Sequence, residues 1–184
     1  MNEIIYRKKI HKQYNTNSSV LFRWKQTETF IDKNLILKKG LDIGERTDFT
    51  KRLEDVYKIQ FDSTDIDLDV EPINGKYDII TSFEVLEHLF NPLFNLLEIK
   101  KAMNKNAVLY LSTPLYKPKI IKSPEHFHEM AEDELMNLIK RAKLSVLKKK
   151  IIKVRPSLHY LFGFRPLLRA KYERVILLEL SKES

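Results

Sequence analysis

The run Tyr77-Asp78-Ile79-Ile80-Thr81-Ser82-Phe83-Glu84-Val85-Leu86-Glu87-His88-Leu89-Phe90-Asn91-Pro92 decides how this chain folds. Its first six residues follow the turn pair Asn74-Gly75 and read as a buried strand. Its last two read as a helix start. Asn can cap a helix, and Pro is pre-set for the first helical position. Leu93, Leu96, Leu97, Lys100 and Met103 then follow at helical spacing. A strand therefore passes into a helix through Phe83–His88, a segment at the strand's carboxyl end.

The pattern extends in both directions. Upstream, the segment through Leu37 is expected to be helical, with Trp24, Thr27, Phe30, Ile31 and Leu35 near one face. A short apolar piece, Leu41–Ile43, ends at Gly44. A charged helix is expected over Asp48–Asp55 and a strand over Tyr57–Phe61. Downstream, Ala107–Ser112 reads as a strand stopped by Thr113-Pro114. Ala131–Ala142 reads as an amphipathic helix with Leu135, Leu138, Ile139 and Ala142 inward, and Ser145–Val154 and Glu173–Leu180 as two final strands. Alternating strands and helices imply an α/β class: a mostly parallel sheet with helices on both faces.

The 184 residues suit one domain. No apolar run approaches the roughly 18–20 residues of a membrane span. The opening MNEIIYRKKIHKQYN is charged throughout, unlike a secretory signal, so the expected location is cytoplasmic. The absence of cysteine excludes disulfides, thiolate metal sites and cysteine nucleophiles. The net charge of +8 is uneven: +6 over residues 1–40, −8 over 41–100 and +10 over 101–184. An acidic middle suits a site for hydroxyls, amines or a metal cation. Basic flanks either attract an anionic partner or form a solvated Lys-rich surface.

Ligands of open α/β sheets bind beyond the carboxyl ends of the strands. The loops to inspect are therefore Leu41–Asp48, Phe61–Asp65, Asp65–Asp69, Phe83–His88 and Ser112–Pro114. Asp62 lies eighteen residues after Gly44, a distance at which a carboxylate can accept both hydroxyls of a ribose. The combination LDIG, FDS, YDIITSFEVLEHLFNPL, AVLYLSTP and EHFHEMAEDEL resembles the class I S-adenosylmethionine-dependent methyltransferases. It is most similar to the broad group that includes the ubiquinone-biosynthesis O-methyltransferases. The resemblance spans roughly residues 38–150.

That resemblance implies a Rossmann-like fold with an antiparallel last strand and S-adenosylmethionine as cofactor. Residues 1–37 would form a helical cap, 38–154 the core, 155–172 a basic aromatic insertion and 173–180 the last strand. Asp42 and Gly44 would line the methionine end of the cofactor, and Asp62 would hold the ribose. Asp67 and Leu68 would flank the adenine, and Phe83 would lie against the cofactor. The chain also departs from the family. Where the first loop usually reads D-x-G-x-G-x-G, Arg46 and Asp48 replace the second and third glycines. Side chains there can crowd the methionine carboxylate, or Arg46 can grip it in two places. Only thirty-two residues separate Gly44 from Tyr77, so the usual helix between the second and third strands is expected to be missing.

Glu84-x-x-Glu87-His88 places three side chains on one face of a helix start. Two carboxylates and an imidazole suit a hard divalent cation such as Mg²⁺ or Mn²⁺. The arrangement is similar to the E-x-x-E-H of the ubiquinone-pathway enzymes. It is also similar to that of the small-RNA 2′-O-methyltransferases, whose resemblance implies His126 as the fourth ligand; His128 is the alternative. His88 and Glu87 would serve catalysis by helping to deprotonate an acceptor. Arg155–Arg174 mixes five basic residues with Tyr160, Phe162, Phe164 and Tyr172, and reads as an acceptor-binding lid or as an extra packed helix. The expected activity is methyl transfer to a hydroxyl of a small molecule or saccharide. RNA is the rival acceptor, and a degenerate, non-catalytic binding module is the rival class.

Overall fold

The computed structural model describes residues 18–161 and 166–183. The first seventeen residues of the expected cap, and Phe162, Phe164 and Arg165 of the expected lid, lie outside them. Helix α1 spans Ser18–Phe30, strand β1 Gly40–Asp42, α2 Asp48–Tyr57, β2 Phe61–Ser63 and β3 Tyr77–Phe83. After a short 3₁₀ turn at Leu86–His88 come α3 (Pro92–Ala102), β4 (Met103–Pro114), α4 (Glu132–Arg141) and β5 (Leu144–Lys153). A second 3₁₀ turn at Ser157–Tyr160, α5 (Pro166–Tyr172) and β6 (Arg174–Lys182) complete the chain.

The strands form one sheet in the order β2-β1-β3-β4-β6-β5. The first four run parallel, and β6 is antiparallel to both its neighbours. Side chains alternate across this sheet, as a two-residue period requires. Ile80, Leu109 and Leu178 meet Leu96 and Ile99 of α3 and Leu135 and Ile139 of α4. Ile79, Tyr110 and Leu177 meet Phe30 of α1 and Phe49, Leu53 and Tyr57 of α2 on the other face. Helices therefore cover both faces, as the alternating pattern implies. No helix among the described residues is long and apolar enough to cross a membrane.

Several boundaries differ from the sequence reading, and three of them have a clear local reason. Tyr57 ends α2 rather than starting a strand. With Phe49 and Leu53 it repeats every four residues on the buried face, and Lys58 then closes the helix in the left-handed region at φ 55°. Helix α1 stops at Phe30, well before Leu37; beyond it Asp32 turns the chain by accepting the Asn34 amide at 2.9 Å. Met103 leaves the α3 face and opens β4. The Asn91 cap is as expected, its side chain accepting the Phe94 amide at 3.2 Å. The connection between β2 and β3 has no helix, only a turn in which Asp67 O accepts the Val70 and Glu71 amides.

Strand β1 lies between β2 and β3, so the chain winds outward from it in both directions. This reversal opens a crevice at the carboxyl edge, between the loops that leave β1 and β3. At the opposite, amino end of β1, Gly40 lies against β2: a Cβ on it would lie 2.8 Å from three ring atoms of the buried Phe61. Gly40→Ala is expected to destabilise the fold by about 1–3 kcal/mol through overpacking. Leu109→Ala, which empties a fully buried site, is expected to cost about 2–5 kcal/mol. Urea unfolding of both variants checks these values.

Candidate active site

A cleft of about 770 Å³ occupies that crevice. It is lined from α1 by Arg23 and Trp24, from the β1 loop by Asp42, Gly44 and Glu45, and from the β2–β3 connection by Thr64, Asp67 and Leu68. Phe83, Glu84 and His88 line it from β3 and the segment that follows. Gly44 adopts φ +102°, a conformation that L side chains rarely take. Its amide donates to Thr64 Oγ1 at 2.7 Å, and the Thr64 amide donates back to Gly44 O at 3.1 Å. The first two loops are thereby locked together.

Asp42 is buried. Its two oxygens accept from Thr50 Oγ1 at 2.5 Å and from Thr81 Oγ1 at 2.6 Å. Burial raises its pKa to about 6, despite those two hydrogen bonds and the Arg46 charge. Asp67, Leu68 and Phe83 line the cleft. Arg46 and Asp62 do not. The Arg46 guanidinium pairs with Glu54 on α2 and donates to Phe61 O at 3.2 Å, so it turns along the helix and away from the cleft. Asp62 accepts from Tyr77 Oη at 3.1 Å and pairs with Lys39 at 3.0 Å, which draws it off the cleft wall. The lining residue of that loop is Thr64.

After β3 the chain does not start a helix at once. Glu84 sits at φ 57°, its amide bound to Ser112 O and Oγ, and the following turn is 3₁₀. Glu84 is therefore not stacked over Glu87 and His88 as an α-helical start would stack it. Its Oε1 accepts from Ser112 Oγ at 3.0 Å and its Oε2 lies 3.7 Å from Arg23 Nε. The side chains that converge are Glu87, His88 and His126, with ligand atoms within 4.8 Å of one another. His126 arrives because the Phe127 and His128 amides both donate to Glu87 O, at 2.8 and 3.2 Å. His128 is not in the cluster.

The hydrogen bonds fix the tautomers. A carbonyl oxygen can only accept, so His88 Nδ1 donates its proton to Glu125 O at 3.0 Å. His126 Nδ1 meets Glu129 Oε1 at 2.5 Å and donates likewise. In each neutral ring Nε2 keeps its lone pair. Glu87 is only 1% exposed; Oε2 accepts from Thr113 at 3.1 Å, and Oε1 has no hydrogen-bond partner and lies 3.9 Å from His88 Nε2. Burial first, and the Glu84 charge second, push its carboxyl well above the usual range. Burial and the neighbouring His126 push His88 below its ordinary value. Burial also acts against an ionised Glu129, but His126 and Lys117 outweigh it and hold that carboxyl low.

Sequence reasoning missed Arg23, Thr64 and Glu129. Glu129 stands three residues after His126 and could have been found as its partner. Nothing local singles out Arg23. In the insertion, Arg155 and Arg169 both turn inward to the buried Glu173, at 3.5 and 2.9 Å, and Tyr160 is buried beside them. Those residues pack the insertion onto β6.

A methyltransferase domain family model matches residues 19–150. The chain belongs to that family. Together with the sheet just described, membership makes it a class I S-adenosylmethionine-dependent methyltransferase. No curated protein matches the chain. Among solved structures it is similar to an S-adenosylmethionine-dependent methyltransferase from Clostridium acetobutylicum, with TM-score 0.57 and 10% identity over 98% of this chain and 100% of that one. It is also similar to coclaurine N-methyltransferase bound to N-methylheliamine and SAH, with TM-score 0.60 and 11% identity over 88% and 73%. A third is the O-methyltransferase of a Brevibacillus brevis trans-AT PKS multienzyme, in complex with S-adenosyl-L-homocysteine, with TM-score 0.55 and 14% identity over 80% and 67%.

The raised pKa of Asp42 has a stability consequence whose sign is fixed by linkage. The native state holds this proton more tightly than the unfolded chain, so the contribution is present below pH 4 and lost as pH rises through 6. Asp42→Asn cannot titrate. Relative to wild type, the variant should gain about 2–3 kcal/mol between pH 4 and 7. Urea unfolding of both proteins across that range measures the difference.

Proposed function

We propose that the protein methylates a hydroxyl oxygen of a small-molecule or saccharide acceptor, using the Glu87–His88–His126 cluster to take up the acceptor's proton. The convergence of that cluster beside the cleft carries the reading. The cofactor fits the lining residues. The carboxylates of Asp42, Glu45 and Asp67 suit hydroxyls and a cationic sulfonium end, and Ile66, Leu68, Val85 and Leu89 supply apolar walls for a base. Gly44 and Asp42 would hold the methionine end, Thr64 the ribose in place of Asp62, and Asp67 with Leu68 the adenine. S-adenosylmethionine supplies an electrophilic methyl group when bound. The remaining task for the protein is in-line positioning and removal of a proton.

Two observations fit a divalent ion at the cluster: the orphaned, buried Glu87 Oε1 and the two imidazoles whose Nδ1 atoms are already committed. Glu87, His88 and His126 would hold it. One carboxylate and two imidazoles suit a first-row ion such as Mn²⁺ better than Mg²⁺. Such an ion lowers the pKa of a bound hydroxyl. Without one, neutral His88 is itself a base in the right tautomer.

The cleft lining favours a neutral or cationic acceptor over RNA. Among the described residues it carries Asp42, Glu45, Asp67, Asp69, Glu84 and Glu125 against a single arginine, and such a field repels phosphates. Phe90 and Phe127 stack at the rim with centroids 4.2 Å apart, offering an apolar platform.

The test is methyl transfer from labelled cofactor to a panel of phenols, sugars and RNA. Loss of activity in EDTA, restored by Mn²⁺, would establish the metal route. Activity that survives EDTA but falls about 10²–10⁴-fold in His88→Ala would assign the base role to His88. Turnover on RNA alone would overturn the acceptor class. For the cofactor, Asp67→Ala should weaken S-adenosylhomocysteine binding by about 1–3 kcal/mol. Asp62→Ala should leave it within about twofold, and calorimetry compares the two.

A further inference from the structure

We propose that Arg23 of α1 is the anchor for the cofactor's methionine carboxylate, a charge-pairing task for which the loop after β1 has no unpaired cation. The inference rests on the cofactor reading above and concerns how that same site is completed.

Part of what the loop after β1 could offer an anion is already engaged. Thr47 Oγ1 already accepts the Phe49 and Thr50 amides at the start of α2, at 3.2 and 3.3 Å. Those are the donors that a carboxylate at a helix N-terminus would otherwise take. Asp48, in the first turn, adds a negative charge of its own and pairs with Lys51 at 3.0 Å. Arg46 is engaged by Glu54 and by Phe61 O. Among the described residues that line the cleft, Arg23 is the only Lys or Arg.

Arg23 is held over the cleft by a rigid mount. Its neighbour Trp24 stacks on Phe49 with centroids 5.2 Å apart and planes 22° apart. Phe49 in turn meets Phe83 edge-on at 5.4 Å, and Glu28 pairs with Arg52 of α2 at 3.0 Å. The mount ties α1 to the start of α2 and the end of β3. Arg23 itself is mostly buried, at 15% side-chain exposure, and its contact with Glu84 is loose, 3.7 Å through Nε. A guanidinium in that setting can accept a second carboxylate through its terminal nitrogens. A cofactor amino acid end carries both charges, so Arg23 and Glu84 together present the complementary pair.

Two ligands separate the anchor from the rest of the site. S-adenosylhomocysteine carries the amino acid tail; 5′-methylthioadenosine keeps the adenosine and the sulfur but lacks the carboxylate and ammonium. Binding of each is measured by calorimetry to wild type, Arg23→Met and Arg23→Lys. Arg23→Met should lose about tenfold to a hundredfold in affinity for S-adenosylhomocysteine, as expected for a lost charge-assisted hydrogen bond. Its affinity for 5′-methylthioadenosine should stay that of wild type, which also shows that the variant is folded. Arg23→Lys should fall between. Equal losses for both ligands, or no loss for either, would overturn the assignment. If wild type binds neither ligand, the cofactor reading fails and the anchor fails with it.

Discussion

The buried carboxylate of Asp42 is where the architecture and the site meet. It ends β1, and its two oxygens are held by hydroxyls from α2 and from the neighbouring strand β3. An uncompensated charge in that position would be intolerable, and two hydroxyl donors only partly compensate it, which is why its pKa stays raised. The arrangement nonetheless sets the direction in which the chain leaves β1. Gly44, two residues on, then turns through a positive φ, and the Gly44–Thr64 hydrogen-bond pair fixes the floor of the cleft. The cleft lining from the loop after β1 follows from that turn.

From this floor the protein distributes charge in an unusual way for a glycine-poor loop. Arg46 and Asp48 stand where glycines are common in the family, yet neither side chain fills the cleft. Each finds a partner along α2, Glu54 for one and Lys51 for the other. The helix surface has absorbed the two substitutions. The consequence is that the loop's only cation, and the Phe49 and Thr50 amides at the start of α2, are engaged locally. The cation that lines the opening comes instead from α1.

Much of the frame was legible in the sequence because it is encoded locally. Asn91-Pro92 starts a helix by chemistry contained in two residues, and the strands around Ile79–Ile80 and Val108–Leu111 declare themselves by composition. Tyr57 was ambiguous, since it satisfies a two-residue period with Phe61 and a four-residue period with Leu53; burial against the sheet chose the helix. The candidate residues that do not line the cleft share a cause. Asp62 is drawn away by Lys39 and Tyr77, and Arg46 by Glu54, partners that only the folded chain brings near. Glu84 left the expected trio because one left-handed residue interrupts the helical spacing on which the trio was drawn. Thr64, by contrast, sat in a loop already singled out, but a hydroxyl beside four aspartates carried no mark.

That left-handed Glu84 also explains how one short segment serves two neighbours. A regular helix beginning at residue 84 would stack Glu84 and Glu87 on the same face, where two carboxylates would repel. The positive φ sends Glu84 to Ser112 and Arg23, while the 3₁₀ turn buries Glu87 beside Thr113. Strain of this kind persists only where the surroundings over-determine it. Here the Glu84 amide is held by both the carbonyl and the hydroxyl of Ser112, and the Glu87 carbonyl by two amides from the segment that carries His126. The first bond separates the two carboxylates and the second imports the imidazole. A site with one acid facing Arg23 and another facing the two histidines is thus built from five consecutive residues and two loops tied to them through the backbone.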